Sequence, residues 1–193
     1  MKYKIGIFGS AADNPKEVLN KAQELGEELA KHDPILITGL ADGIPYKVGL
    51  TAAKLGSEVW GFAPASNLEE EKKIAGKQDL GIYKKIFYVP QDYSFVNNIQ
   101  VCRKYRNVSS TATCVAGIII SGRWGTMNEF TNLYDMGKVI GVLTETGGIA
   151  DELPRLMRKI TKKSRAKVIF NKSPAKLIQL ILNELKKKNK ISV

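Results

Sequence analysis

Cysteine, histidine and long apolar runs are scarce in this chain, and each scarcity excludes something. Its 193 residues hold two cysteines, Cys102 and Cys114, and one histidine, His32. Two cysteines with no CxxC pairing support neither a zinc site nor a disulfide framework, so both are expected as small buried residues. A single histidine cannot complete a catalytic triad. His32 closes a helical pattern just before Asp33-Pro34 and reads as a surface or capping residue. The acids form no metal-ligand cluster, so no metal site is expected. No apolar run is long enough to span a bilayer, and the chain enters the strand-like KIGIF with no signal-peptide pattern, which predicts a soluble, cytoplasmic protein without membrane association. Neither GxGxxG nor GxxxxGK[ST] occurs, so neither a standard nicotinamide enzyme nor a phosphate-transferring ATPase is indicated.

What is present suits one domain spanning residues 1–193. A hydrophobic content of 44% can bury a substantial core without disulfide or metal support. The net charge of +11 is a C-terminal feature: Arg155 to Lys190 carries 13 Lys/Arg against one acid, Glu184, leaving 17 Lys/Arg against 18 Asp/Glu elsewhere. Such a tail is either a solvated helix face or a salt-sensitive nucleic-acid contact.

Apolar runs alternate with helical patterns. Strands are expected at Lys4 to Phe8, Ile35 to Thr38, Glu58 to Phe62, Ile86 to Val89, Val115 to Ile120, Val139 to Leu143 and Lys167 to Phe170. Between the first two, Val18, Ala22, Leu25, Gly26 and Leu29 fall on one helical face after the start signal Asn14-Pro15. Further helices are expected at Pro45 to Leu55, Phe95 to Thr111, Thr126 to Met136, Ala150 to Ile160 and Pro174 to Lys187. Strands apolar on both faces and alternating with helices predict an α/β, doubly wound, Rossmann-like domain, its mostly parallel sheet of about seven strands lying between helix layers. The polar stretch Pro64 to Lys85 breaks the alternation and reads as a surface loop or a lid beside a site.

Ligands in such folds bind beyond the carboxyl ends of the strands, so the strand-to-helix turns carry the search. Three contain glycine: Phe8-Gly9-Ser10, Thr38-Gly39-Leu40-Ala41-Asp42-Gly43, and Ser121-Gly122-Arg123-Trp124-Gly125-Thr126. Glycine lets a backbone approach a ligand closely, and helix N-termini bind anions through exposed N–H groups. The candidate phosphate- and nucleotide-binding residues are therefore Gly9, Ser10, Gly39, Gly43, Ser121, Gly122, Arg123, Gly125 and Thr126. Glu129, one helical turn past Thr126, is expected to point back toward the same pocket.

The run SGRWGTMNE resembles the PGGxGTxxE motif of the LOG proteins ("lonely guy", cytokinin riboside 5′-monophosphate phosphoribohydrolases) and their nucleotide-binding relatives, which include molybdenum-cofactor carrier proteins and the DNA-processing protein A group. IGIFGS and ITGLADGIPYKVGLTAAKLGSEVWGFAP resemble the first and second glycine turns of that family with their neighbouring elements, so the likeness covers most of Lys4 to Gly141. The resemblance implies that Arg106, in CRKYRNV, and Glu129 are the catalytic pair, with Gly122, Gly125 and Thr126 holding a 5′-phosphate. It further implies cleavage of an AMP-like nucleoside monophosphate to free base and ribose 5-phosphate with no cofactor, by a homodimer, for which the Phe95 to Thr111 helix is the candidate contact. A carboxylate such as Glu129 suits that chemistry, since positive charge grows on the ribose as the base departs.

The chain departs from the family where proline and two glycines give way to Ser121, Gly122 and Arg123, and TGLADG lacks the adjacent glycines common at the second turn. Arg123 could grip a phosphate, face solvent or block the pocket. Trp124 could stack on a base or pack against protein. Three functions follow: a phosphoribohydrolase, a non-catalytic nucleotide or cofactor binder or carrier on the same fold, and nucleic-acid binding through the basic C-terminal segment.

Overall fold

A computed structural model describes residues 2–11, 14–76 and 78–191, with the side chains of 189–191 excepted. Lys77 of the polar stretch and the Lys190 side chain of the basic tail lie outside the described residues. The described residues form seven strands: β1 (Lys4–Gly9), β2 (Ile35–Gly39), β3 (Glu58–Phe62), β4 (Lys85–Phe87), β5 (Ala116–Ile120), β6 (Val139–Leu143) and β7 (Lys167–Asn171). They alternate with α1 (Lys16–Ala30), α2 (Ile44–Lys54), α3 (Leu68–Ile74), α4 (Ile99–Thr113), α5 (Trp124–Asp135), α6 (Gly148–Lys159) and α7 (Pro174–Ile191).

All pairings are parallel and the strand order is β4-β3-β2-β1-β5-β6-β7. The chain thus winds outward from β1 in one direction and then, from β5, in the other. The doubly wound α/β domain read from the sequence is what forms, with its topological switch between β1 and β5.

Period-2 alternation works on both faces of these buried strands. On β5, Ile118 and Ile120 join the core shared with Val18, Leu25 and Leu29 of α1, whereas Ile119 joins the opposite core with Phe130 and Leu133 of α5. Each such fully buried aliphatic side chain contributes about 1.5–3 kcal/mol of transfer free energy, so β5, buried at every residue, anchors both layers. Cys102 and Cys114 are free and buried, as expected. His32 is exposed, with Nε2 3.6 Å from Glu28 on the same helix.

Three expectations are corrected. The fourth strand covers Lys85–Phe87 and not Ile86 to Val89. The helix placed at Phe95 begins at Ile99, because the Asn98 side chain accepts from the Gln100 and Val101 amides and caps it there, leaving Phe95 exposed in the preceding turn. The stretch read as a loop or lid from Pro64 to Lys85 contains α3 and a short 3-10 turn at Leu80–Ile82. Asn67 caps α3 by accepting from Glu70 N at 3.0 Å, while Glu70 reaches back to Ser66 N (3.1 Å) and Ser66 Oγ (2.9 Å). That reciprocal capping turns a charged stretch into a defined helix.

Candidate functional site

The turn from β5 into α5 sits at the switch. Ser121 adopts φ +53° and Gly122 φ +99°; a left-handed serine is costly unless its surroundings hold it. Here they do. Ser121 N–H donates to Thr146 Oγ1 at 2.8 Å, and the Thr146 hydroxyl donates to the Leu143 carbonyl at 2.7 Å. A proline at position 121 could neither adopt that φ nor supply the N–H, so the departure from the LOG-type motif changes the course of the turn itself. The Ser121 and Gly122 carbonyls accept from Ala150 N (3.1 Å) and Ile149 N (2.9 Å), satisfying the start of α6. A Cβ at Gly122 would meet the Thr126 side chain at 2.5 Å, so this position requires glycine for space as well as for φ.

At the start of α5 the amides remain open. The first turn-closing bond runs from Met127 N to Arg123 O at 2.9 Å, and no side chain caps the helix at Arg123. The N–H groups of Trp124, Gly125 and Thr126 therefore precede the helical ladder and carry the positive end of its dipole. By contrast, α2 receives the Ser10 carbonyl at Ile44 N, 2.9 Å.

A cavity of about 150 Å³ opens here. It brings together Gly9 and Ser10 from the first turn, Gly39 from the second, and Arg123, Gly125 and Thr126 from the third, with Arg106 of α4 and Glu129 of α5 completing the wall. Three candidates stand apart from its lining. Gly43 packs beside the Ser10 carbonyl at φ +95° and supports the second turn. Ser121 and Gly122 are buried and serve the turn through the bonds above. Arg123 is exposed at the cavity's edge and leaves it unblocked. Trp124 is 82% exposed, so it does not pack against the protein. A larger hollow, about 580 Å³, is lined by Ser57 to Val59, Lys84 and the end of α2. It lies at the edge where strands begin, away from the carboxyl ends that receive ligands in this fold.

The cavity's ionisable groups are strongly perturbed. Burial pushes the Glu129 carboxyl up to about 7, with Arg106 and then Lys104 pulling it back. Burial lowers the Arg106 guanidinium, against the support of Glu129 and Glu71. Asn107 lies between Arg106 and Glu129: its carbonyl accepts from Arg106 Nη2 at 3.3 Å in one amide orientation, and in the other its nitrogen donates to Glu129 Oε1 at 3.3 Å.

Glu71, on α3, was not among the sequence candidates, and it is fully buried. Burial pushes its carboxyl up to about 7, opposed by the Ala65 backbone and by Arg106. The capping pattern Ser66-Asn67-Leu68-Glu69-Glu70 would have put a helix here, and a four-residue step then pairs Glu71 with buried Ala75 on its inner face. Among the described residues there is no cluster of three or more His, Cys, Asp or Glu suited to a metal ion, and no helix long and apolar enough to cross a membrane.

A parallel sheet with a polar cavity at its switch point, walled by glycine turns and an uncapped helix start, defines a LOG-like protein of the Rossmann class. The chain belongs to the SLOG cluster4 family, whose model matches residues 2–178. Among solved structures it is similar to TM1055, a structural-genomics target, at 19% identity over 95% of this chain and 99% of that one, with a TM-score of 0.76. It is also similar to the molybdenum cofactor binding protein of the phototrophic bacterium Rippkaea orientalis (17% identity, 96% and 98% covered, TM-score 0.69). A third is DNA processing protein A of Helicobacter pylori, described for its single-stranded DNA binding mode (19% identity, 96% and 81% covered, TM-score 0.63). At these identities the likeness is one of fold. No curated protein matches the chain.

Proposed function

We propose that the protein binds nucleoside 5′-monophosphates in this cavity and hydrolyses their N-glycosidic bond to free base and ribose 5-phosphate. The observation that carries the reading is Glu129, a buried carboxylate sharing one small cavity with Arg106 and the uncapped start of α5. The Gly125 and Thr126 N–H groups, the Thr126 hydroxyl and Arg123 take the phosphate, and Arg106 forks onto phosphate or ribose oxygens. Gly9, Ser10 and Gly39 leave room for the sugar.

As the C1′–N bond breaks, its electron pair leaves with the base and positive charge grows on the ribose. The Glu129 carboxylate stabilises that charge and takes a proton from the water whose oxygen bonds to C1′, and that proton passes on to the departing nitrogen, returning Glu129 to its carboxylate form. A carboxyl pushed up to about 7 is matched to a base working near neutral pH. The resemblance adds a dimer, and Ile99 and Val108, exposed on α4, suit the contact; a cytoplasmic setting follows from the sequence pattern alone.

Arg123 favours a second reading. A long cation at the cavity's edge, where the resembling motif has glycine, suits a binder or carrier that retains a phosphorylated ligand without turning it over. Nucleic-acid binding by the basic tail has weaker support, since Lys187 pairs with Glu184 and Lys188 donates to the Gly137 carbonyl.

Incubation with AMP, followed by chromatography of adenine and ribose 5-phosphate, separates the first two. Release by the wild type and its loss in Glu129→Gln support the hydrolase. A nucleotide-dependent rise in melting temperature with no product supports the carrier.

A further inference from the structure

Arg106 Nε is buried without a hydrogen-bond partner, and the buried Glu71 carboxylate, which the Ala65 backbone faces, closes on no side-chain donor. An unpartnered buried group is rare in folded proteins because it lost its water without replacement, and one beside a buried acid calls for an explanation. Two features make this pair informative. First, Arg106 is held in the fields of two acids on different elements, Glu129 of α5 and Glu71 of α3. Second, neither oxygen of Glu71 has closed onto the guanidinium, although a buried carboxylate and guanidinium gain most as a forked pair. Glu71 does not line the cavity; Arg106 and Glu129 do. The Ala65 backbone also acts on Glu71, the Tyr83 and Tyr88 hydroxyls feel its charge, and Arg103 is a further cation acting on Arg106.

We propose that Glu71 is a positioning residue for Arg106, drawing the guanidinium away from Glu129 so that the cation stays open to an incoming phosphate and Glu129 stays free to act on the sugar. This rests on the reading of the cavity as a nucleotide site. With Glu71 uncharged, one acid remains, and Arg106 collapses into a forked pair with Glu129. That pair fills the fork meant for the ligand and lowers the pKa of the acid meant as base. The segment carrying Glu71 therefore acts on the site from behind, as a fixed helix and not as a closing lid.

The test uses Glu71→Gln, which keeps the shape, with Glu71→Met as a second variant should the amide misfold. The first readout needs no substrate: the Arg106 Nε–H resonance, assigned with Arg106→Lys, is followed in the ligand-free protein. The second is calorimetric affinity for ribose 5-phosphate and the pH profile of AMP cleavage. The expected result is a shifted, more slowly exchanging Arg106 resonance, affinity weakened about tenfold or more, and an acidic limb of the pH profile moved to lower pH. An Arg106 resonance and ribose 5-phosphate affinity both matching wild type overturn the proposal. If wild-type protein binds neither AMP nor ribose 5-phosphate, the nucleotide reading fails by itself. The resonance then still decides whether Glu71 positions Arg106.

Discussion

The guanidinium of Arg106 lies against the Cα of Gly39, so that a methyl group there would stand 3.0 Å from Cζ and 3.1 Å from Nη1. The end of β2 thus sets one boundary for the cation. Gly39→Ala does not strain the backbone, since Gly39 is absent from the positive-φ residues, and the flexible Arg106 side chain can yield by a few tenths of an ångström. The expected outcome is a melting temperature within about 2 °C of wild type and mononucleotide affinity about tenfold weaker, ~1.4 kcal/mol. Calorimetry checks it, and wild-type affinity would mean that Arg106 makes no contact with the ligand.

Thr146 holds the left-handed Ser121 by accepting its N–H, and is itself 3% exposed. Thr146→Val leaves that buried N–H unpaired at a cost of about 1–3 kcal/mol, which for a domain of this size lowers the melting temperature by about 2–12 °C. Thr146→Ser keeps the hydroxyl and is expected to melt near wild type. Equal melting of the Val and Ser variants in a thermal scan would show that the Ser121 turn does not depend on this bond.

Most of the fold was legible because its strands are apolar on both faces and its helices carry one apolar stripe each. Runs such as AGIII and VIGVL, bounded by glycine and charge, leave little choice but a covered parallel sheet. The glycine turns fall at one edge of the sheet, and Arg106 and Glu129, on separate helices with no simple spacing between them, line one cavity there at the switch where β1 and β5 adjoin. Glu71 was not legible. Its stretch is dense in charge, and charge patterning speaks for solvent; only the local bonds of Ser66, Asn67 and Glu70 order it, and only the tertiary fold turns one of its three consecutive glutamates inward. The same holds for Ser121, whose φ is set by Thr146, a partner 25 residues away.

The buried acids give the protein an unusual pH dependence. Glu129 and Glu71 stand at about 7 when folded, against 4.5 ordinarily. The native state therefore binds more protons than the unfolded chain between those values. Stability is lost as pH rises through that window, by up to about 1.4 kcal/mol for each acid with every pH unit crossed. The carboxyls lowered in the fold, at Glu28, Glu70 and Glu184, act below this range and do not oppose the trend. Glu129→Gln is expected to melt higher than wild type at pH 8, with the advantage fading at pH 5. Thermal scans across that range check it, and a pH-independent difference would show that Glu129 is not a perturbed acid.

Trp124 leaves 82% of its surface in water at the first residue of α5, between Arg123 and Gly125, both on the cavity. The cavity's 150 Å³ is below the usual range of about 300–1,000 Å³ for whole small-molecule sites. It suits a sugar phosphate and leaves a base at the mouth, where an indole face is available. Base stacking on an aromatic ring is worth about 1–3 kcal/mol, so Trp124→Ala is expected to weaken AMP binding about tenfold while leaving ribose 5-phosphate affinity and melting temperature unchanged. Calorimetry with the two ligands side by side separates the cases. An equal loss for both would place Trp124 at the phosphate, and no loss for either would leave the base held by something other than this ring.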